Sequence, residues 1–283
     1  MSLTEQQLTL NGLPVRYFWV GAPADDAPPL LLLHGAVGGA SLCWGPALAA
    51  LAETHLVIAP DLPGFGGSAP LPVMRTHTLL AWLANLLATL EVAPTAVVGS
   101  SLGALLARLY AAGQPDRVRA LVLVNGGSLP SVPPFMRWLA QQPALGRGAF
   151  QFVARSTLLP GELRRAVHVQ EVLTADFLAQ AHASAGAFSE LMRAFAADEP
   201  PAQRTPSAPT LLLWGADDQV NTLQEAERIR NAIPGAALIP VSGCGLLPQH
   251  EAPDVFAWQV TRFLADLDRP PRPDLPGVSL LQP

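Results

Sequence analysis

The chain has 283 residues, of which 50% are hydrophobic and 14% are charged, and its formal net charge is -5 at pH 7. This length and composition can fill the core of one large α/β domain with an insertion, or of two small domains. The negative charge and the absence of a run of basic residues argue against nucleic-acid binding.

The N-terminal residues contain no basic segment followed by an apolar run, and the apolar stretches are too short or too interrupted to span a bilayer. Two cysteines, Cys43 and Cys244, are too few for a disulfide framework and are typical of reduced thiols. These features predict a cytoplasmic protein without a membrane partner, and they leave its oligomeric state open.

Predicted strands and helices alternate along the first half of the chain. Asn11-Gly12 suits a type I′ turn and predicts a β-hairpin, and the apolar run Leu30 to Leu33 predicts a strand buried on both faces. The elements predicted after these are helix Trp44–Glu53, strand His55–Ala59, helix Thr78–Leu90, strand Thr95–Val98, helix Ala104–Gly113 and strand Ala120–Val124.

The alternation stops between Ser128 and Arg204, where the periodicity is helical. The elements predicted after this segment are strand Thr210–Trp214, helix Gln224–Ala232, strand Ala237–Val241 and helix Pro253–Leu267. The pattern predicts a doubly wound, mostly parallel α/β sheet of about eight strands with an all-helical cap insertion. We expect the α/β core at residues 1–127 and 205–268, the cap at 128–204 and a proline-rich tail at 269–283.

One stretch indicates a nucleophile. A short buried strand ends in Gly99-x-Ser101-x-Gly103, and a helical pattern follows. A strained strand-to-helix turn of this kind exposes the serine hydroxyl, because the glycines remove side chains that would collide. The amide of Leu102 would then lie at a helix N-terminus, where it can donate to an oxyanion. Other polar residues at predicted strand ends are His34, Asp61, Asn125 and Asp218.

Five motifs resemble those of the α/β-hydrolase superfamily, in the order and spacing of its single-domain bacterial members with a helical cap. They are His34-Gly35, Asp61-x-x-Gly64-x-Gly66-x-Ser68, Gly99-x-Ser101-x-Gly103, Gly215-x-x-Asp218 and Gly245-x-x-Pro248-x-x-Glu251-x-Pro253. The resemblance implies that Ser101 is the nucleophile, Asp218 the acid of the triad, and the amides of Ala36 and Leu102 the oxyanion hole. It implies no cofactor.

The last motif departs from the family, which places its general base, a histidine, where this chain has Leu246. A histidine follows four residues later, at His250. Two interpretations of His250 stay open: it replaces the missing base, for which the loop would have to be rebuilt, or it is a surface residue beside Glu251. Leucine cannot carry a proton, so the usual triad is incomplete.

The sequence therefore predicts a serine hydrolase of a small carboxylic ester, or of a related acyl or carbon–carbon bond. The alternatives are a non-catalytic small-molecule-binding member that lost its base, and a chain in which Leu246 was introduced to inactivate the enzyme. No residues have the spacing of metal ligands. We expect an apolar pocket, for which the cap offers Phe135, Trp138, Phe150, Phe152, Phe188, Met192 and Phe195.

Overall fold

The computed structural model describes residues 5–21, 29–92, 95–129, 131–199 and 205–267. The strands are β1 (Glu5–Leu10), β2 (Leu13–Val20), β3 (Leu30–Leu33), β4 (Val57–Pro60), β5 (Thr95–Ser100), β6 (Val118–Val124), β7 (Thr210–Gly215) and β8 (Ala237–Val241). They form one sheet in the order β1-β2-β4-β3-β5-β6-β7-β8. The β1/β2 and β2/β4 pairs are antiparallel and all the others are parallel.

Helices pack on both faces of this sheet, and further helices form the segment between β6 and β7. They are α1 (Ala40–Ala52), α2 (Thr76–Thr89), α3 (Leu102–Gly113), α4 (Pro134–Gln141), α5 (Leu145–Thr157), α6 (Pro160–Ala166), α7 (Ala175–Ala183), α8 (Ala185–Ala197), α9 (Leu223–Ala232), α10 (Pro248–Glu251) and α11 (Pro253–Leu267). Short 3₁₀ turns lie at Pro115–Arg117 and Gln170–Val172. The predicted fold class is confirmed.

The central strands are buried on both faces, as the continuous apolar runs predict. Leu31 and Leu33 of β3 belong to one hydrophobic cluster, which also contains residues of α2, α3 and α9. Leu30 and Leu32 belong to the other, with residues of α1 and α11. Successive leucines of β3 point to opposite faces because the side chains of a strand have a two-residue period. The parallel strands are therefore buried between two layers of helices.

Most predicted boundaries differ from the structure by one or two residues at an end, and two of the differences have a clear physical reason. The helix expected from Trp44 begins at Ala40 and contains a break at Gly45, where φ is 21° just before Pro46. The strand expected from His55 begins at Val57, and His55 itself is buried. In both cases a local apolar pattern gave the element but not the residue at which its backbone hydrogen bonds begin.

Between β6 and β7 the described residues form helices and no strand. This segment, residues 131–199, is called the cap below. The division into core and cap at residues 127/128 and 204/205 stays a prediction, and the predicted tail at 269–283 lies outside the described residues.

Candidate active site

Ser101 occupies the turn between β5 and α3 in a backbone conformation that side chains rarely adopt, with φ at 54° and ψ at -119°. Its amide donates to the carbonyl oxygen of Val124, 2.9 Å away, on the neighbouring strand. A Cβ at Gly99 would overlap the backbone of Gly103 and Ala104. The strained turn is therefore fixed by close packing and hydrogen bonding, and it presents the serine at the carboxyl edge of the sheet.

The loop after β3 lies directly against this turn. A Cβ at Gly35 would be 2.7 Å from the Cβ of Ser101, so only glycine lets the two segments approach this closely. Ala36 on this loop and Leu102, the first residue of α3, line the same cavity as Ser101. Their amides thus belong to the two segments that border the nucleophile candidate at this cavity, so the predicted oxyanion donors are carried next to Ser101.

Two buried polar residues hold the loops that surround the oxyanion candidates. His34 accepts a hydrogen bond at Nε2 from the amide of Leu62, at 2.8 Å. Asp61 accepts from the amides of Ala40 (2.8 Å) and Gly67 (2.9 Å) and pairs with Arg16. Both side chains are fully buried and hold the backbone of these loops in place.

Asp218 is buried at the end of β7, and each of its oxygens has a hydrogen-bond donor. Oδ2 accepts from Nδ2 of Asn125 at 2.6 Å, and Oδ1 accepts from the amides of Val220 (2.7 Å) and Asn221 (3.0 Å). Burial raises the pKa of Asp218 above its usual value, and these hydrogen bonds partly oppose that rise.

Asn125 is a site residue whose role the sequence analysis missed. Besides its bond to Asp218, its Nδ2 donates to the carbonyl oxygen of Gly245 at 3.2 Å and its Oδ1 accepts from the amide of Gly215 at 3.0 Å. It therefore links the strand end beside Ser101 to the loop that carries Leu246. Its position at the end of a buried strand was the available signal.

Leu246 lines the cavity together with Ser101. Its amide donates to the carbonyl oxygen of Ala166 in the cap, at 2.8 Å. Among the described residues, no histidine lines the cavity, and its charged lining residues are Glu162 and Arg165. At the position where the resemblance predicts a general base, Leu246 thus contributes an apolar side chain to the cavity wall.

A single carboxylate holds the loop that carries Leu246. Glu251 Oε2 accepts from the amides of Gly245, His168 and Val169, and its Oε1 accepts from that of Leu247, all between 2.7 and 2.9 Å. We call residues 244–251 the base loop. Glu251 fixes its backbone through these amide hydrogen bonds, whereas the side chain of Leu246 is partly buried and packs against the larger hydrophobic cluster.

His250 lies away from this wall. Its Nε2 is hydrogen-bonded to the carbonyl oxygen of Leu42 on α1, and its ring packs edge-on against Phe177 at 5.4 Å between centroids. Burial lowers the pKa of His250 below its usual value. The structure therefore brings together Ser101, Ala36, Leu102 and Leu246 at one cavity, and His250 is not among the residues that line it.

The cavity has a volume of about 650 Å³ and is bounded by α5, α6 and α8 of the cap. Of the aromatic and methionine residues expected to line it, Phe188 and Met192 do so. The expectation was wrong for the others: Phe150 and Phe195 are buried in hydrophobic clusters, whereas Phe135, Trp138 and Phe152 are exposed. Helical spacing alone cannot distinguish these three environments.

A search of residues 5–267, apart from the gaps given above, finds no group of three or more side chains suited to hold a metal ion. None of the helices described there is both long enough and apolar enough to span a bilayer.

Comparisons with known proteins agree with this geometry. A family model described as alpha/beta hydrolase fold matches residues 28–253. A putative carbamate hydrolase of Klebsiella pneumoniae is 31% identical over 231 residues, covering 78% of this chain and 83% of that protein. A 2-hydroxymuconate semialdehyde hydrolase of Pseudomonas putida is 28% identical over 265 residues, covering 85% and 88%. The structure of a 2-hydroxy-6-oxo-6-phenylhexa-2,4-dienoate hydrolase from a Rhodococcus strain superposes with a TM-score of 0.73 at 21% identity, covering 93% and 99%.

Proposed function

Because the chain belongs to the alpha/beta hydrolase fold family, we propose that it is a serine hydrolase of a small carboxylic ester or a related acyl or carbon–carbon bond. Ser101 attacks the carbonyl carbon, and the amides of Ala36 and Leu102 stabilise the oxyanion. The observation that carries this proposal is the strained backbone of Ser101 beside both amides at one cavity. The carbamate and semialdehyde hydrolases among its relatives support the same reaction class.

The apolar wall at Leu246 restricts the chemistry further. With no imidazole lining the cavity in the described residues, the proton of the Ser101 hydroxyl passes to water when Oγ bonds to the carbonyl carbon. The leaving group then departs as an anion when its bond to that carbon breaks, because no general acid protonates it. Substrates with weakly basic leaving groups are therefore favoured. Water hydrolyses the acyl-serine slowly, since this step also lacks a base.

The prediction that His250 serves as the base receives little support from its surroundings. A base needs heavy-atom contact of about 2.6 to 3.2 Å with the serine oxygen. The Nε2 atom of His250 is instead hydrogen-bonded to the carbonyl oxygen of Leu42, and neither residue lines the cavity. A rotation of this ring would have to break that bond and the packing against Phe177.

A second candidate is a non-catalytic protein that binds a small apolar molecule. The observation in its favour is that Asp218 is satisfied by Asn125, Val220 and Asn221 and has no imidazole to orient. The about 650 Å³ cavity is large enough for such a ligand. Whether Ser101 becomes acylated separates this candidate from the hydrolase.

The test is intact-protein mass spectrometry during incubation with 4-nitrophenyl acetate. We expect one acetyl group on Ser101, a stoichiometric burst of nitrophenolate and slow turnover afterwards. The Ser101→Ala variant should show neither, whereas the matched variant Ser156→Ala, which alters another hydroxyl at the cavity, should retain both. Equal acetylation of the parent and Ser101→Ala would contradict the hydrolase and favour the binding protein.

A further inference from the structure

Large apolar side chains are concentrated on the outside of the cap. Of the ten that are exposed in the described part of the chain, six lie between residues 135 and 159. We call them the cap apolar face, and they are Phe135 (65% exposed), Trp138 (51%), Leu145 (67%), Phe152 (75%), Val153 (46%) and Leu159 (48%). Such a concentration on one short segment marks an interaction surface rather than scattered exposure.

Five of these residues lie on α4 and α5, on the sides that the cap does not use for packing, and Leu159 follows in the link to α6. Leu145 and Phe152 are seven residues apart on α5 and so share one side of the helix. The buried residues Phe150 and Ala154 occupy a different side. Both helices pack on α8, and Phe135 and Trp138 stack on each other at 5.9 Å instead of entering the cap. Each of the two helices therefore has one side packed on α8 and a second, apolar side that no other part of the described chain covers.

The charge of this segment is opposite to that of the chain. Residues 134–166 contain five arginines and one glutamate, whereas the whole chain has a formal net charge of -5. Three of these arginines form ion pairs, namely Arg137, Arg147 and Arg165. The other two, Arg155 and Arg164, are exposed and have no ion pair with any residue that the structure describes. Guanidinium groups bind phosphate oxygens in a bidentate manner, so they suit an anionic headgroup.

The cap apolar face also borders the entrance to the cavity. The residues from Ser156 to Leu159 line the cavity and directly follow Phe152 and Val153 on α5, and Leu159 belongs to both the face and the lining. A surface that covers the face would therefore lie next to the cavity that holds Ser101.

We propose that the cap apolar face docks on a bilayer surface that contains anionic phospholipid. Aromatic and leucine side chains on one side of a helix with arginines beside them are what an interfacial helix requires. A second copy of the chain fits less well, because a two-fold contact would bring together two segments that each carry a positive charge excess, with Arg155 and Arg164 of both copies lacking ion pairs among the described residues. This docking does not depend on the proposed chemistry of Ser101.

The test is sedimentation of the full chain with vesicles of phosphatidylcholine alone or with 30% phosphatidylglycerol, which is about the content that gives a clearly negative surface. We expect binding to the anionic vesicles that weakens as salt is raised. Trp138→Ser and Phe152→Ser together should lower the partition coefficient at least about tenfold. Arg155→Gln and Arg164→Gln should each lower it about fivefold on anionic vesicles alone.

Two matched variants serve as controls. Trp258, on α11, is 54% exposed, like Trp138, and Arg230, on α9, is an exposed arginine outside the cap. Trp258→Ser and Arg230→Gln should leave binding unchanged, and all variants should keep the melting temperature of the parent because the residues are exposed. The proposal is overturned if the parent does not bind anionic vesicles at low salt, or if Trp258→Ser weakens binding as much as Trp138→Ser. It is also overturned if the cap variants abolish self-association of the chain instead of vesicle binding.

Discussion

The turn at Ser101 and the base loop face the same cavity, but they differ in what fixes them. At the turn, the proposed nucleophile Ser101 itself occupies the strained backbone position, between glycines whose replacement would produce overlap. In the base loop, the backbone is held by Glu251, by the bond from Leu246 to Ala166, and by the close approach of Gly215 to Gly245. The side chain at position 246 takes no part in any of these contacts.

In the proposed catalytic site, the backbone that positions residue 246 is thus held independently of the side chain that would take part in the reaction. Ser101 itself occupies the strained position of the turn, so its exposed hydroxyl and the turn cannot be changed independently. The base loop, by contrast, keeps its backbone contacts with a leucine at position 246. The backbone hydrogen bonds of the base loop should therefore survive a new side chain at position 246, and what changes is the packing of that side chain against the hydrophobic cluster. The predictions below test that separation, beginning with the largest effect.

Replacing Leu246 with histidine should raise kcat/KM on 4-nitrophenyl acetate by about 10²- to 10⁴-fold, the usual contribution of a general base. The backbone already directs residue 246 to the cavity, and Asp218 is the nearby carboxylate that could orient an imidazole. The gain should disappear in Leu246→His combined with Ser101→Ala.

The control for this prediction is a four-way comparison of the parent, Leu246→His, His250→Ala and the double variant on one ester. If the gain in kcat/KM from Leu246→His persists when His250→Ala is added, the result supports the hypothesis that the parent chain has lost its general base. A flat response to Leu246→His, together with an inactive His250→Ala, would mean that His250 had taken over the role of the base.

Glu251→Gln should lower the free energy of unfolding by about 2 to 3 kcal/mol, because hydrogen bonds to a charged acceptor are worth about 1.5 to 3 kcal/mol and several amides share this one. The neutral amide accepts these bonds more weakly and adds donors that face other donors. Chemical denaturation measures the loss. Glu227→Gln on the exposed side of α9 is the matched control, and an equal loss there would refute the role assigned to Glu251.

His250→Ala should cost about 1 to 2 kcal/mol of stability at pH 7.5, from its bond to Leu42 and its contact with Phe177. The residual ester activity should not change. His250→Phe, which keeps the ring but not the bond, should recover part of the loss. A large fall in activity of a folded variant would show that the imidazole reaches Ser101.

The pH dependence of His250 has a definite sign. Burial lowers its pKa in the folded protein below 6.5, so the unfolded chain takes up a proton first as the pH falls. Stability is therefore lost as the pH is lowered from about 7.5 through 6.5 towards the folded pKa. His250→Ala should reduce this loss of stability at falling pH without abolishing it, because burial also lowers the pKa of His34 and His55.

Much of the fold follows from the sequence because the signals are local. The run Leu30 to Leu33 and the glycines around Ser101 specify a strand and a turn wherever they occur. The partnership of Asn125 with Asp218 joins residues 93 positions apart, and no local pattern encodes such a pair. The exposure of Phe152 and the burial of Phe150 depend on where α8 lies, which the spacing of aromatic residues does not reveal. The expectation of no membrane partner considered only spanning stretches, and amphipathic surface helices lie outside that criterion.

The two cysteines offer the finest comparison of the two regions, because Cys244 belongs to the base loop and Cys43, on α1, lies next to Ser100 at the turn. Cys43, on α1, contacts Gln249 and lies beside Ser100 under the turn, and Cys244 precedes Gly245 in the base loop. Burial raises the pKa of each thiol to about 11, so at pH 8 iodoacetamide should label both about a hundredfold more slowly than an ordinary thiol. Labelling of the native protein then reports local opening.

Glu251→Gln should speed the labelling of Cys244 several-fold more than that of Cys43, because Glu251 holds the amide next to Cys244. Equal acceleration, read site by site by mass spectrometry, would show that the turn and the base loop open as one unit.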